Sequence, residues 1–343
     1  MNRELAKKVA DAVLYEGYML YPYRRSAMKN QQRWTFGILY PPAYEEVQSG
    51  TERSVMRSEC LLEIQGDARI EVELRFLQLM TREVTPKPTN DNDAPATPDL
   101  NDSMLAAEAG DEGIERSVEF SMALPGDWHS VPFNFPGNSE TEPLVRGGRV
   151  VAMLKRTQEE LSGTVSLSPE RIGDGMLKLT IEATNETRSS RSAPDRNSAL
   201  LRSLLSAHTI LAVNGAEFVS LLDPPQHLRD AVSGCKNLGN FPVLVGDSER
   251  RDMMLCSPIV LYDYPQIAPE SAGDFYDATE MDETLTLRVL TLTNEEKAQM
   301  RASDDRGREL LQRTEQSARE QLIRTHGTIR GLRPRTPPDR ESA

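Results

Sequence analysis

Two segments of this 343-residue chain carry residue types that could do chemistry. The first, residues 18–34, holds Tyr18, Tyr21, Tyr23, Arg24, Arg25, Lys29, Arg33 and Trp34, and no acidic residue occurs between Glu16 and Glu45. Cationic side chains beside aromatic faces hold phosphates, bases or carboxylates through charge-assisted hydrogen bonds and cation–π contact. The plainer reading is an entry loop whose cations pair with the chain's surplus carboxylates. The second segment is acidic: Asp263, Glu270, Asp274, Asp277, Glu280, Asp282 and Glu283. On a helix, i,i+3 spacing puts Asp277 with Glu280, or Glu280 with Glu283, on one face. Paired carboxylates there can hold a divalent cation or divide acid and base roles, with Asp274, Asp277, Glu280 and Glu283 as ligands. Acidic residues also suit a helix's first turn, where the dipole is positive, with no ligand at all.

The remaining polar residues spell no catalytic pattern. Asp223 and His227 flank two prolines and Gln226, but His129, His208, His227 and His326 have no metal-ligand spacing. No Gly-rich phosphate loop and no nucleophile-elbow motif occurs. Cys60, Cys235 and Cys256 lie far apart with no CxxC pair. They read as small core residues of a protein kept in a reducing cytoplasm. No cofactor is expected.

The net charge of −13 opposes phosphate polymers and anionic membranes, so nucleic acid and lipid are poor candidates as partners. No apolar run approaches the roughly 18–20 residues of a membrane span. A 38% hydrophobic content with a mean hydropathy of −0.52 points to an ordinary core carrying polar loops and tails. Glu4 and Asp11 interrupt the first apolar pattern, which makes it a folded helix and not a secretion signal.

The elements that must position these residues follow from periodicity. Leu5, Val9 and Val13 predict a helix capped by Asn2 and ended by Gly17. Trp34, Phe36, Ile38 and Tyr40 alternate as a strand would. Residues 54–84 predict two strands around the turn Gln65-Gly66-Asp67, with Leu61, Ile64, Val72, Leu74 and Phe76 in the core. Residues 85–113, rich in Pro, Asn and Asp, read as a disordered acidic insert. Strand 115–124 follows, then a turn-rich patch to Gly148, then strand-like runs at 150–157 and 161–167. A hairpin closes at Gly173-Asp174-Gly175, after which Leu177, Leu179 and Ile181 alternate as a strand would. The polar run 187–198 reads as a boundary. Beyond it come a short helix, two strands around Asn214-Gly215, a helix after Pro225, and apolar strands at 241–245 and 253–261. Leu285, Val289 and Leu292 predict a helix, although the run also alternates as a strand. Thr293 with Glu296 forms a capping box, and a last helix ends near Gln316 before an Arg- and Pro-rich tail.

Three blocks carry a resemblance: DAVLYEGYMLYPYRRSAMKNQQRWTFGILYP (11–41), HTILAVNGAEFVSLLDPP (208–225) and the long run 257–304 that starts SPIVLYDYPQIAPESAGDFYDATEMDETL. In these the chain resembles a bacterial family encoded alongside nickel-iron hydrogenase structural and maturation genes. That family has no assigned catalytic residues. The resemblance implies a non-enzymatic accessory or scaffold role in hydrogenase assembly, exercised on a hydrogenase subunit or maturation factor. The partner-binding candidates are Tyr21, Tyr23, Arg24, Arg25, Lys29, Arg33 and Trp34. A divalent-cation-dependent enzyme built on the acidic run is the alternative.

The expected fold is α+β. A β-rich half with an N-terminal helix spans residues 1–186 and a mixed α/β half spans 197–316, ending in helices and a flexible tail, 317–343; whether the halves share one core is open. If the acidic run is only helix-start charge, Ca²⁺, Mg²⁺ or Mn²⁺ gives no saturable rise in melting temperature. A true site would add about 2.7 kcal/mol at a hundredfold excess over its dissociation constant and lose that gain in Glu280→Gln.

Overall fold

The computed structural model describes residues 2–16, 18, 35–86, 108–188, 194–267, 282–303 and 305–325. Its centre is one strand, β1 (Val55–Pro86), which is 32 residues long. Even-numbered positions along it, Met56, Cys60, Leu62 and Ile64, then Ala68, Ile70, Val72, Leu74 and Phe76, point to one buried face. That period of two, held from Met56 to Phe76, is the period of a strand. The five core residues read from the sequence, Leu61, Ile64, Val72, Leu74 and Phe76, are all buried.

The expected hairpin at Gln65-Gly66-Asp67 does not form. Strand β8 (Leu205–Phe218) runs antiparallel to β1 on both sides of that triplet, pairing Ile64 with Ala216 and then Arg69 with Asn214. The second expected turn, Asn214-Gly215, lies opposite the first, so two turn signals cancel into one shared kink in a continuous pair of strands. Glycine is required there: Gly215 has φ +77°, and a Cβ on it would lie 2.7 Å from the Asp67 carbonyl oxygen.

β1 is flanked by β7 (Met176–Asn185) and then β2 (Gly110–Leu124) along one side, and by β8 and then β5 (Arg149–Gln158) along the other. Beyond β7 come β6 (Leu161–Gly173) and β3 (His129–Phe135); beyond β8 come β10 (Met253–Ser257) and β9 (Phe241–Leu244). β4 (Asn138–Arg146) forms a hairpin with β5. The patch expected as turns, 125–148, therefore supplies two strands. Every pairing among these ten strands is antiparallel, and the strands after residue 197 extend the sheet of the strands before it. The fold is α+β and β-rich. One apolar cluster joins Ile70, Val72 and Leu74 to Val165, Leu179, Leu211 and Met254, so the sheet curls around its own apolar face. Phe76 meets Phe133 and Phe135 across that core with ring centroids 5.8 Å apart in each case.

Helix α1 (Asn2–Tyr15) covers the opposite face of β8, β9 and β10. It buries Ala6, Val9, Ala10 and Val13 against Ile210, Val243, Val245, Met253 and Leu255. Leu5, expected on the buried stripe, is exposed; Ala6 takes its place because the helix lies close to the sheet. The Asn2 side chain, expected as a cap, accepts from Asp247 N at 2.6 Å and donates to Asp252. Short helices follow at α2 (Pro42–Val47), α3 (Arg196–Leu200) and α4 (Arg229–Ser233). Of the segment 34–40, expected as a strand, the described residues 35–40 make a single bridge, Leu39 to Leu204.

The last three helices are α5 (Asp282–Leu290), α6 (Asn294–Ser303) and α7 (Asp305–Thr325). Leu285, Val289, Met300, Leu310 and Leu311 pack on Leu77, Leu79, Leu205 and Tyr15, which settles the strand-or-helix ambiguity at 285–292 in favour of helix. The capping box forms as expected: Thr293 N donates to Glu296 at 2.9 Å and Glu296 N to Thr293 Oγ1 at 3.2 Å. α7 continues through residues expected to fray after 316. The insert narrows from both ends, because β1 extends to Pro86 and β2 begins at Gly110; residues 87–107 and 326–343 lie outside the described residues.

The kink sets the first structural prediction. Gly215→Ala combines a positive φ with a backbone collision, so it lowers stability by about 2 kcal/mol in denaturant unfolding. Gly66→Ala, where φ is +99° but a Cβ meets open space, costs less, about 1 kcal/mol. Equal effects would show that the close approach to Asp67 is unimportant.

Candidate functional site

Of the two sequence-predicted constellations, only Tyr18 and Asp263 have side chains within the described residues. Tyr21, Tyr23, Arg24, Arg25, Lys29, Arg33 and Trp34 are outside them, as are Asp274, Asp277 and Glu280; Glu283 is on α5, but its side chain is also outside. What the structure places are the two ends of the aromatic-basic segment. At its start, Tyr18 is buried against the seam of α1 and β2, its ring edge-on to Tyr15 at 5.5 Å, and its hydroxyl accepts from Gly113 N at 3.4 Å. At its end, Gly37 has φ +60° and lies so close to Pro258 that a Cβ would stand 2.9 Å from the proline ring. A cavity of about 410 Å³ opens there, lined among others by Phe36, Tyr40, Glu52, Arg53, Arg196 and Pro258. Burial pushes the Tyr40 hydroxyl above its ordinary pKa.

The chain continues from Pro258 as an extended segment whose side chains alternate. Ile259 and Leu261 pack inward on the α1 cluster. Val260 and Tyr262 point outward at 96% and 83% exposure. Asp263 then ties the segment down by accepting from Leu244 N at 2.8 Å, and Tyr264 N donates to Leu244 O at 2.7 Å.

A second constellation was not singled out from the sequence. Where α1 crosses β1, the Arg75 guanidinium is 5% exposed and faces Asp11 at 2.7 Å, Glu115 at 3.6 Å and Glu73 at 3.7 Å. His208 stands opposite Arg75 in the β1–β8 register, so the two side chains share a face of the sheet. Ser206 has φ +51° at the irregularity beside it, and its carbonyl lies 2.8 Å from His208 Nδ1. A carbonyl can only accept, so Nδ1 carries the hydrogen and Nε2 the lone pair. Among the described residues, His208 Nε2 and Arg75 Nη1 are buried without a hydrogen-bond partner. Burial pushes the His208 pKa down to about 4, and Arg75 lowers it further, against the opposing effect of the Ser206 bond. Burial raises the Glu73 carboxyl, with Arg75 pulling it back. α7 closes the seam: Arg306 stacks on Tyr15, 3.4 Å from the ring centroid, and bonds Glu115 at 3.1 Å. The sequence held a weak signal for this seam, a lone histidine in the apolar run LLSAHTILAV and a charge, Arg75, inside ELRFLQL.

Cys60 and Cys256 are buried, and burial pushes the Cys256 thiol up to about 12 and the half-buried Cys235 up to about 11. Thiols held protonated in this way are poor nucleophiles and poor metal ligands. Among the described residues no three His, Cys, Asp or Glu side chains are grouped to hold a metal ion, and no helix is long and apolar enough to cross a membrane. No protein-family model matches the chain, and no curated protein matches it.

Removing the hub of the seam leaves carboxylates without their counter-charge. Arg75→Met therefore lowers stability by about 3 kcal/mol at pH 7 in denaturant unfolding, the low end for a broken buried pair because Asp11 and Glu115 reach solvent. Arg75→Lys recovers part of the loss, since an ammonium cannot span three carboxylates as a guanidinium does. An unchanged midpoint in Arg75→Met would show that the seam contributes nothing.

Proposed function

We propose that this protein is a non-enzymatic accessory or scaffold component that binds a protein partner through the surface around residues 21–34 and 258–262. One observation carries the reading: Gly37, three residues beyond the aromatic-basic segment, lies directly against Pro258, two residues before the outward-facing Val260 and four before Tyr262. The contact of Gly37 with Pro258 thus sets the exposed Val260 and Tyr262 only a few residues from the point where the chain that follows the aromatic-basic segment enters the described residues. Arg and aromatic side chains are the types that dominate interface energetics once desolvated. With a net charge of −13, the chain repels a phosphate polymer as a whole, whereas a folded partner can present carboxylates to this patch alone. The resemblance in the three sequence blocks suggests the partner class, a subunit or maturation factor of a nickel-iron hydrogenase, met in the cytoplasm.

Co-purification from a host that carries such genes, read by mass spectrometry, tests this. Arg24→Glu with Arg25→Glu, and separately Val260→Asp with Tyr262→Ser, should each weaken capture of the same partner at least thirtyfold, the loss of about 2 kcal/mol typical of one hot spot. Circular dichroism should not change in either variant. Retention of the partner by both variants would refute the surface. Tight, salt-sensitive binding of RNA or DNA by the unaltered protein would refute the partner class.

A further inference from the structure

We propose that the seam centred on Arg75 and His208 is an acid-operated release for α1, which lets the helix leave the sheet while the sheet itself stays folded. Two unlike contacts run along the middle of α1: an apolar stripe over β8, β9 and β10, and a charged edge along which Asp11 reaches the buried face of Arg75. His208 lies beneath that edge, fully buried, with Nε2 as the one atom able to take a proton. A proton there makes a second cation beside a guanidinium in a closed space, a state relieved only when water reaches the ring. Lifting α1 opens a path for that water, because α1 shares the cover of this face with the α5–α7 group.

The surrounding charges set the direction. From β1, Arg75 disfavours the imidazolium while Glu73 favours it. From α1 come Asp11, Lys7 and the Tyr15 hydroxyl; from β2, Glu115 and Glu119; from α7, Arg306. Arg75 already engages Asp11, Glu73 and Glu115, which leaves those carboxylates committed before His208 is protonated. An exposed imidazole titrates near its ordinary value of about 6.5, and the docked one only near about 4. Above pH 6.5 both states are neutral and docking is unaffected. Between 6.5 and 4 only the released state binds the proton, so acid favours release, and the effect saturates below 4. Glu73 acts the opposite way: its carboxyl is raised in the docked state, so acid relieves a cost there and offsets part of the release.

Hydrogen exchange with mass spectrometry on the full chain, expressed as protection factors, reads this. The α1 amides should lose protection roughly twentyfold between pH 7 and pH 5, while the β1 and β8 amides keep theirs. His208→Asn preserves a donor to the Ser206 carbonyl and removes the titration, and should abolish the step. Asp11→Asn removes only α1's own hold on Arg75; it should lower α1 protection at both pH values and leave the step in place, which keeps a test available if His208→Asn does not fold. Three outcomes would overturn the proposal: a pH-independent α1, a step that persists in His208→Asn, or a loss of protection shared equally by the sheet.

Discussion

Everything in this fold depends on β1 having partners along both edges and cover on both faces. A strand of 32 residues exposes more backbone polar groups than any one neighbour can satisfy, so four strands share the task in tandem, β7 and β2 on one side and β8 and β5 on the other. A strand with twist cannot stay flat over that length, and the kink at Gly66 and Gly215 lets it turn so that β3, β6 and β7 come over the same apolar face that β2 and β8 cover. The helices occupy what is left. α1 and the α5–α7 group sit on the outer face, where Ile210, Leu77, Leu79 and Leu205 would otherwise meet water.

The same physics explains what could be read in advance. Alternation at Leu177, Leu179 and Ile181, helical spacing at Leu285, Val289 and Leu292, and the Thr293–Glu296 capping pair are local signals that nothing nearby contradicts, and each appears as expected. Turn signals failed where their meaning depended on a distant partner. Gln65-Gly66-Asp67 and Asn214-Gly215 each look like a reversal in isolation, yet opposed to each other they serve one bend without reversing either strand. The patch at 125–148 was misleading for a related reason: Pro132 and Asn134 sit on β3 and Asn138 and Pro143 on β4, outer strands that tolerate missing donors and exposed polar groups.

Chemistry-bearing residues were legible in inverse proportion to how far they had to travel. The aromatic-basic and acidic runs stand out because each is contiguous. The Arg75 seam draws on β1, α1, β2, β8 and α7, so no window of sequence contains it. A further hub had the same fate. Asn185 is fully buried; its amide donates to the carbonyls of Leu39 and Arg202 at 2.8 Å each and accepts from Thr187 N at 2.9 Å. One side chain thereby joins the end of β7 to the two strands of chain that meet at the Leu39–Leu204 bridge, and it sits at the edge of the run that looked like a boundary.

The position of β1 in the chain has a consequence for how the molecule comes into being. Its partner β8 lies some 140 residues later in the chain, and α1, which precedes β1, rests on β9 and β10, near the end of the sheet. Contacts of such long range form slowly, because much chain entropy must be lost before they are rewarded. During translation, a ribosome that has released β1 through β7 holds out a strand with one edge open and the apolar faces of Ile70 and Leu74 incompletely covered. Such an edge invites pairing with another nascent chain. The charges along this strand, Glu59, Glu63, Arg69, Glu71, Glu73 and Arg75, are therefore placed where they also keep the unfinished sheet in solution until its second half arrives.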